Sequence, residues 1–172
     1  MSRTLYLSPG RVRRILTRIA YEIVERNRGA ENLELVGMRT RGTALARALA
    51  EEIGRIEARV FTVHELDVAP YRDDRDRSVP VEDQSRVQTD VTGRNVILVD
   101  DVLFTGRTAR AALDALVRYG RPRSIQLVVL VDRGHREYPI QPDYVGRVIQ
   151  TKHKERVVVE VDEGFSVYII EE

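Results

Sequence analysis

Three features of the sequence predict an α/β fold with a mostly parallel central sheet flanked by helices. Hydrophobic runs of strand length alternate with stretches of helical periodicity, the order of βαβ units. Two of those runs, NVILVD (95–100) and SIQLVVLVD (124–132), are nearly continuous in apolar residues, as parallel strands covered on both faces are. Twice, at 36–46 and 95–108, a strand passes through a small-residue turn straight into a helix. At 172 residues the chain suits a single domain, 1–172, able to bury about 70% of its unfolded surface.

Each element has a local reason. Ser8 caps a helix with Pro9 at its first position, and the helix ends at Gly29. Val12, Ile15, Leu16, Ile19 and Ile23 form its apolar stripe. LELVGM (33–38) reads as a strand and TALARALAEEIG (43–54) as a helix closed by glycine, with a second strand over 58–68. A polar stretch rich in Arg and Asp follows, about 70–90, and reads as a loop. Strand 95–100 leads to a helix over 108–120, then strand 124–132. Three shorter β segments close the chain at 144–149, 156–161 and 165–172.

Composition narrows the function classes. Apolar residues make up 42% and charged residues 32%, ordinary for a soluble globular protein. No run approaches the ~20 apolar residues of a membrane span, and MSRTLYLSPGR lacks a signal-peptide core, so a cytoplasmic protein is expected. The absence of cysteine excludes disulfides, thiolate catalysis and cysteine-ligated zinc. With 28 basic and 27 acidic residues the net charge is +1, so nucleic-acid binding requires a local basic patch. Lys152 and Lys154 are the only lysines; the rest are arginines, which suit phosphates, although codon bias or heat adaptation produces the same excess.

In open α/β sheets ligands gather beyond the carboxyl ends of the strands, and three motifs fall there. Asp100 and Asp101 end an apolar strand, where two carboxylates are costly unless hydrogen-bonded or facing a cleft. They can cap the next helix, pair with arginines, hold the vicinal hydroxyls of a ribose, or hold water around magnesium. Thr105-Gly106-Arg107-Thr108 opens the next helix, whose free amides form an anion site. Neither a Walker A loop nor a dinucleotide glycine fingerprint is present. VGMRTRGTALA (36–46) repeats the design, with Arg39, Arg41 and the amides near Gly42 as a second anion site. Two anion cradles flanking a diol-binding pair point to a ribose with phosphates at both ends, that is, phosphoribosyl diphosphate (PRPP).

VILVDDVLFTGRT (96–108) resembles the PRPP signature of type I phosphoribosyltransferases. LTRIAYEIVERNRG, VGMRTRGTALA, LDVAPYRDD, GRPRSIQLVVLVDRGHREYPIQPDYVG and the final β segments resemble, in order, the PyrR family of pyrimidine-operon regulators and uracil phosphoribosyltransferases. The resemblance implies the type I phosphoribosyltransferase fold, with a mobile lid loop at about 70–90 and a small hood of C-terminal segments. It implies that Asp100 and Asp101 hold the ribose hydroxyls, that Thr105, Gly106, Arg107 and Thr108 hold the 5′-phosphate, that Thr40 and Arg41 belong to a diphosphate loop, often with a cis peptide, and that Arg39, Gly42, Val102, Leu103 and Phe104 are further substrate-binding residues. Magnesium would ride on PRPP, through Asp100 and Asp101 at most. Arg72 is the expected functional residue of the lid, and Arg133 and Val157 the expected uracil contacts. His135 suits a simple loop hydrogen bond equally well.

The resemblance further implies UMP- or UTP-responsive binding to the leader of pyrimidine mRNA, and a homodimer or homotetramer. Arg11, Arg14, Thr17, Arg18 and Tyr21 share the helix face opposite the apolar stripe, and Arg26, Arg136 and Arg147 would extend it. A solvated face with Arg18–Glu22 pairing is the plain alternative. Tyr21 and Gln141 stand where the family often carries histidine and a basic residue, departures that would weaken or retune RNA binding. An enzyme without RNA control, and an enzyme for another base such as hypoxanthine, are the alternative readings.

Overall fold

The computed structural model describes residues 1–172. Its element order is β1 (Ser2–Leu7), α1 (Pro9–Asn27), β2 (Leu33–Met38), α2 (Arg41–Glu57), β3 (Val63–Leu66), β4 (Asn95–Leu103), α3 (Arg107–Leu116), β5 (Ser124–Asp132), β6 (Tyr144–Val148), β7 (Glu155–Asp162) and β8 (Gly164–Glu171). No helix is long and apolar enough to cross a membrane.

The main sheet has the order β3-β2-β4-β5-β6 with every pairing parallel. Alternation along its strands supplies two cores. Leu35, Ile97, Val99, Val128 and Leu130 pack against the stripes of α1 and α2, while Val36, Leu98, Leu127 and Val129 pack against Ala109, Ala112 and Leu116 of α3. Helices therefore cover both faces, which is why the central strands read as unbroken apolar runs. Ser8 caps α1 by accepting from the Arg11 amide, and all five stripe residues of α1 are buried.

A second sheet, β1-β8-β7, is antiparallel and forms the hood. Here the structure corrects the expected composition of the hood. Strand β6 joins the main sheet at its edge, and the N-terminal residues 2–7 supply the hood's third strand. Three boundaries also move. Helix α2 continues through Gly54, whose α-carbon lies against the Arg59 carbonyl, and ends at Glu57. The strand expected over 58–68 shrinks to Val63–Leu66, because Ala58 caps α2 in the left-handed region and the chain needs several residues to turn into the sheet. The third helix stops at Leu116, and 117–119 form a single tighter turn.

The loop over the site is shorter than the polar composition implies. Glu65 and Arg86 exchange backbone hydrogen bonds, Asp67 N donates to Ser85 Oγ, and Gln84 N donates to Asp67 Oδ2. These bonds staple the loop's two feet together, so the span over the site is about 68–83. Residues 85–90 follow the sheet edge, where the Gln88 amide donates to His64 Nδ1.

Candidate active site

Strand β4 carries the two carboxylates to the carboxyl edge of the sheet, with Asp100 opposite Val129 of β5. Asp100 Oδ1 accepts from the Asp101 amide at 2.8 Å, and Asp101 Oδ1 from the Val102 amide at 2.8 Å. Each carboxylate is thus oriented by one backbone donor and keeps a second oxygen for a ligand. Burial pushes the Asp100 carboxyl well above the usual carboxylate range, the Asp101 charge adds to this, and Arg72 pulls the other way.

The 39–42 turn lies beside this pair. The Arg39–Thr40 peptide is cis, and Arg39 donates to Gln84 Oε1 in the far foot of the loop. Thr40 makes no side-chain cap, so the first amides of α2 stay free, and Arg41 is exposed with no protein partner. Gly42 lets the helix start approach β4: a Cβ there would lie 2.5 Å from the Val99 carbonyl oxygen and 3.3 Å from Asp100 Cα. The cradle and the carboxylate pair share a wall.

The 105–108 turn forms the other side. Gly106 caps α3 with φ 92°, a conformation open to glycine, and the side-chain acceptor at the helix start is Thr105 Oγ1, which takes the Arg107 amide at 3.3 Å. Arg107 donates from Nε to Glu137 Oε2 and from Nη1 to Asp73 Oδ2, both at 2.9 Å, and to the Tyr138 hydroxyl at 2.8 Å. Those partners hold its guanidinium pKa above the ordinary value. Arg72 reaches in from the loop to donate to Thr108 Oγ1 at 2.7 Å, with Asp74 taking its other donors. Two cationic side chains therefore converge where α3 begins.

A model of the phosphoribosyl transferase domain matches residues 5–163. Proteins named Bifunctional protein PyrR from Bacillus mycoides (strain KBAB4) and Bacillus cereus (strain B4264) are 54% identical to the chain over 156 residues, 88% of this chain and 87% of theirs. The chain belongs to the PyrR family of phosphoribosyltransferases. Solved structures give the same fold: a Staphylococcus aureus hypoxanthine phosphoribosyltransferase has a TM-score of 0.68 at 20% identity, covering 85% of this chain and 77% of that one. A Bacillus anthracis hypoxanthine-guanine phosphoribosyltransferase has a TM-score of 0.67 at 18% identity, with 86% and 84% covered. At such identities the likeness speaks to fold alone.

Within this PyrR-family chain, the segment after β5 closes the far end of the site. Arg133 is 7% exposed; its guanidinium lies 4.0 Å from the centre of the Phe104 ring and donates to Thr151 Oγ1 and the Lys152 carbonyl. Burial lowers its pKa. The Arg133 side chain thus has protein partners, and the Arg133 and Gly134 amides are taken as well, by the Leu103 carbonyl and Asp132 Oδ1. Val157 is half-buried against the larger core beside Val102. His135 adopts φ 66°, donates from Nε2 to the Thr151 carbonyl at 2.7 Å, and stacks on His153. A carbonyl oxygen only accepts, so Nε2 carries the proton.

The basic face of α1 is present, with one correction. Arg11, Arg14, Arg18 and Arg147 line a groove beside Ile15, and Tyr21 is 58% exposed. Arg18 pairs with Glu22 and also donates to the Val145 and Gly146 carbonyls, Arg26 pairs with Asp143, and Thr17 donates to the Arg13 carbonyl. Arg136, expected on this face, turns inward instead. It donates to the Ile140 and Phe104 carbonyls and to Asp132 Oδ2 at 2.9, 2.9 and 2.7 Å. Three part-buried acceptors within reach of one guanidinium explain the inward turn. Sequence reasoning also missed Asp73, Glu137 and Tyr138 as the partners of Arg107. They lie 34, 30 and 31 residues away, beyond any local pattern.

Proposed function

We propose that the protein converts uracil and PRPP to UMP and diphosphate, and that it binds the leader of pyrimidine mRNA in response to UMP or UTP. The observation that carries the catalytic half is the convergence of Asp100 and Asp101 with the starts of helices α2 and α3 on one edge of a parallel sheet. One helix start receives the diphosphate, the other the 5′-phosphate, and the carboxylates between them receive the ribose hydroxyls.

Bond breaking at C1′ gives an oxocarbenium-like sugar and a departing diphosphate, so the protein's task is to hold the ribose and neutralise the leaving group. The free amides of α2 and the unpaired Arg41 do so on one side. Arg72 joins them once the loop closes and excludes water. The Asp100–Asp101 oxygens suit a hard cation delivered by PRPP; magnesium there would offset the charge of the diphosphate. Uracil enters against Phe104 and the backbone of 135–136.

The regulatory half is supported by the groove of Arg11, Arg14, Arg18 and Arg147, which presents phosphate donors on a chain of near-zero net charge. A uracil/PRPP assay with hypoxanthine as the rival base, run beside titration of a labelled pyrimidine leader with and without UMP, tests both halves. Turnover with hypoxanthine but not uracil would sink the first half, and turnover without UMP-enhanced RNA binding the second.

A further inference from the structure

We propose that Asp73 is a built-in occupant of the 5′-phosphate subsite, seated there by Tyr138, and that a ligand phosphate takes its place and frees the first limb of the loop over the site. The inference rests on the reading of 105–108 as the 5′-phosphate loop. Arg107 is the charged side chain of that loop, and it already pairs with two internal anions, Glu137 through Nε and Asp73 through Nη1. Its Nη1 donates to Asp73 Oδ2, and the Tyr138 hydroxyl donates to the same oxygen. The guanidinium lies 4.6 Å from the centre of the Tyr138 ring, so ring and hydroxyl together fix where Arg107 points. One residue earlier, Arg72 donates to Thr108 Oγ1. Residues 72 and 73 are thus pinned to the phosphate loop at two adjacent points.

The occupant is held as an anion. Hydrogen bonds from Tyr138 and Arg107 keep the Asp73 carboxyl below the usual carboxylate range. It is nonetheless a weaker ligand than the group it stands in for. A phosphate monoester carries close to two charges and three acceptor oxygens, and it reaches the amides of α3 as well as Arg107 and Thr108. Once phosphate is bound, Asp73 meets like charge and leaves, and Arg72 loses Thr108 as an acceptor. The limb 72–74 is then free to move toward the diphosphate end, where Arg72 has work to do. Tyr138 in this scheme is a positioning residue: it holds Arg107 in both states and releases the loop in one.

Ribose 5-phosphate is the probe, with ribose as control, read by calorimetry and by hydrogen exchange. In the wild-type protein, ribose 5-phosphate slows exchange at 105–109 and speeds it at 72–75, the reverse of the general protection a simple closing lid gives. Asp73→Asn binds ribose 5-phosphate about fivefold tighter, because the competing charge is gone. Its 72–75 amides exchange fast without ligand. Tyr138→Phe, which keeps the ring against Arg107, also exchanges fast at 72–75 while its circular dichroism matches wild type. Unchanged or slower exchange at 72–75 on binding, or no gain of affinity in Asp73→Asn, overturns the inference and leaves the phosphate-loop reading standing. Wild-type affinity no greater for ribose 5-phosphate than for ribose overturns both.

Discussion

Gly42→Ala is a one-carbon test of whether the diphosphate turn must lie against the carboxylate strand. The new Cβ would sit 2.5 Å from the Val99 carbonyl oxygen, 3.3 Å from Asp100 Cα and 3.3 Å from Met38 Cβ. Since a Cβ essentially never approaches another heavy atom within 3.0 Å, the start of α2 must back away from β4 by at least 0.5 Å, the difference between 3.0 and 2.5. Neither neighbour can yield cheaply, because Val99 is a central strand residue bonded on both sides and buried at 2% exposure. Overpacking of this kind costs about 1–3 kcal/mol, a fall in Tm of about 2–12 °C for a chain of this size. The functional loss should be larger. A misplacement approaching 1 Å between binding groups costs on the order of a hundredfold in rate, and the amides of 41–43 are displaced relative to Asp100. Steady-state UMP formation at varied PRPP should therefore show kcat/KM for PRPP down about 30- to 100-fold, with KM for uracil changed far less. Activity within twofold of wild type at saturating and limiting PRPP would refute the shared-wall geometry.

Three further outcomes follow from the same structure. Asp100→Asn should raise the Tm of the unliganded protein by a few degrees at pH 7–8 while abolishing measurable turnover. The folded carboxyl titrates above its unfolded range, so the contribution of Asp100 to wild-type stability falls as pH rises above about 4, and the difference between the two proteins' melts should vanish at pH 4 and below. Arg136→Ala strips a donor from the Phe104 and Ile140 carbonyls and from Asp132, and should cost about 2–4 kcal/mol in urea denaturation. A loss under about 1 kcal/mol would mean that water replaces those bonds. Arg14→Gln should lower affinity for leader RNA and reduce the slope of log K against log salt by about 0.7–0.9, one phosphate contact.

What could be read in advance follows from how local each signal is. Strand 95–103 and the turn after it are encoded in one contiguous stretch: apolar residues covered from both sides, then carboxylates, then glycine and a helix. Strand β1 was invisible because SRTLYL, mostly exposed, pairs with residues at the other end of the chain, Ser2 with Glu171. Gly54 reads as a helix stop, since glycine usually is one there, but its role is close approach to the Arg59 carbonyl. Arg136 misled for the opposite reason. Arginines in a polar loop usually face water, and only the three-dimensional position of three unsatisfied acceptors shows why this one does not.

On the proposed function, the same bonding couples base recognition to phosphate recognition. Three consecutive carbonyls of the phosphate loop take donors from the segment after β5. Leu103 O accepts from the Arg133 amide, Phe104 O from the Arg136 guanidinium, and Thr105 O from the amides of Glu137 and Tyr138. In a planar trans peptide the N–H points opposite to the carbonyl it adjoins. Fixing these three carbonyls against 133–138 therefore sends the amides of Phe104, Thr105 and Gly106 the other way, toward the cleft. Arg133 completes the contact by lying over the Phe104 ring. Residues 103–106 and 133–138 are consequently one body with two recognition ends. A nucleotide spanning both ends meets a preset distance between base and phosphate, and a substitution at either end is felt at the other.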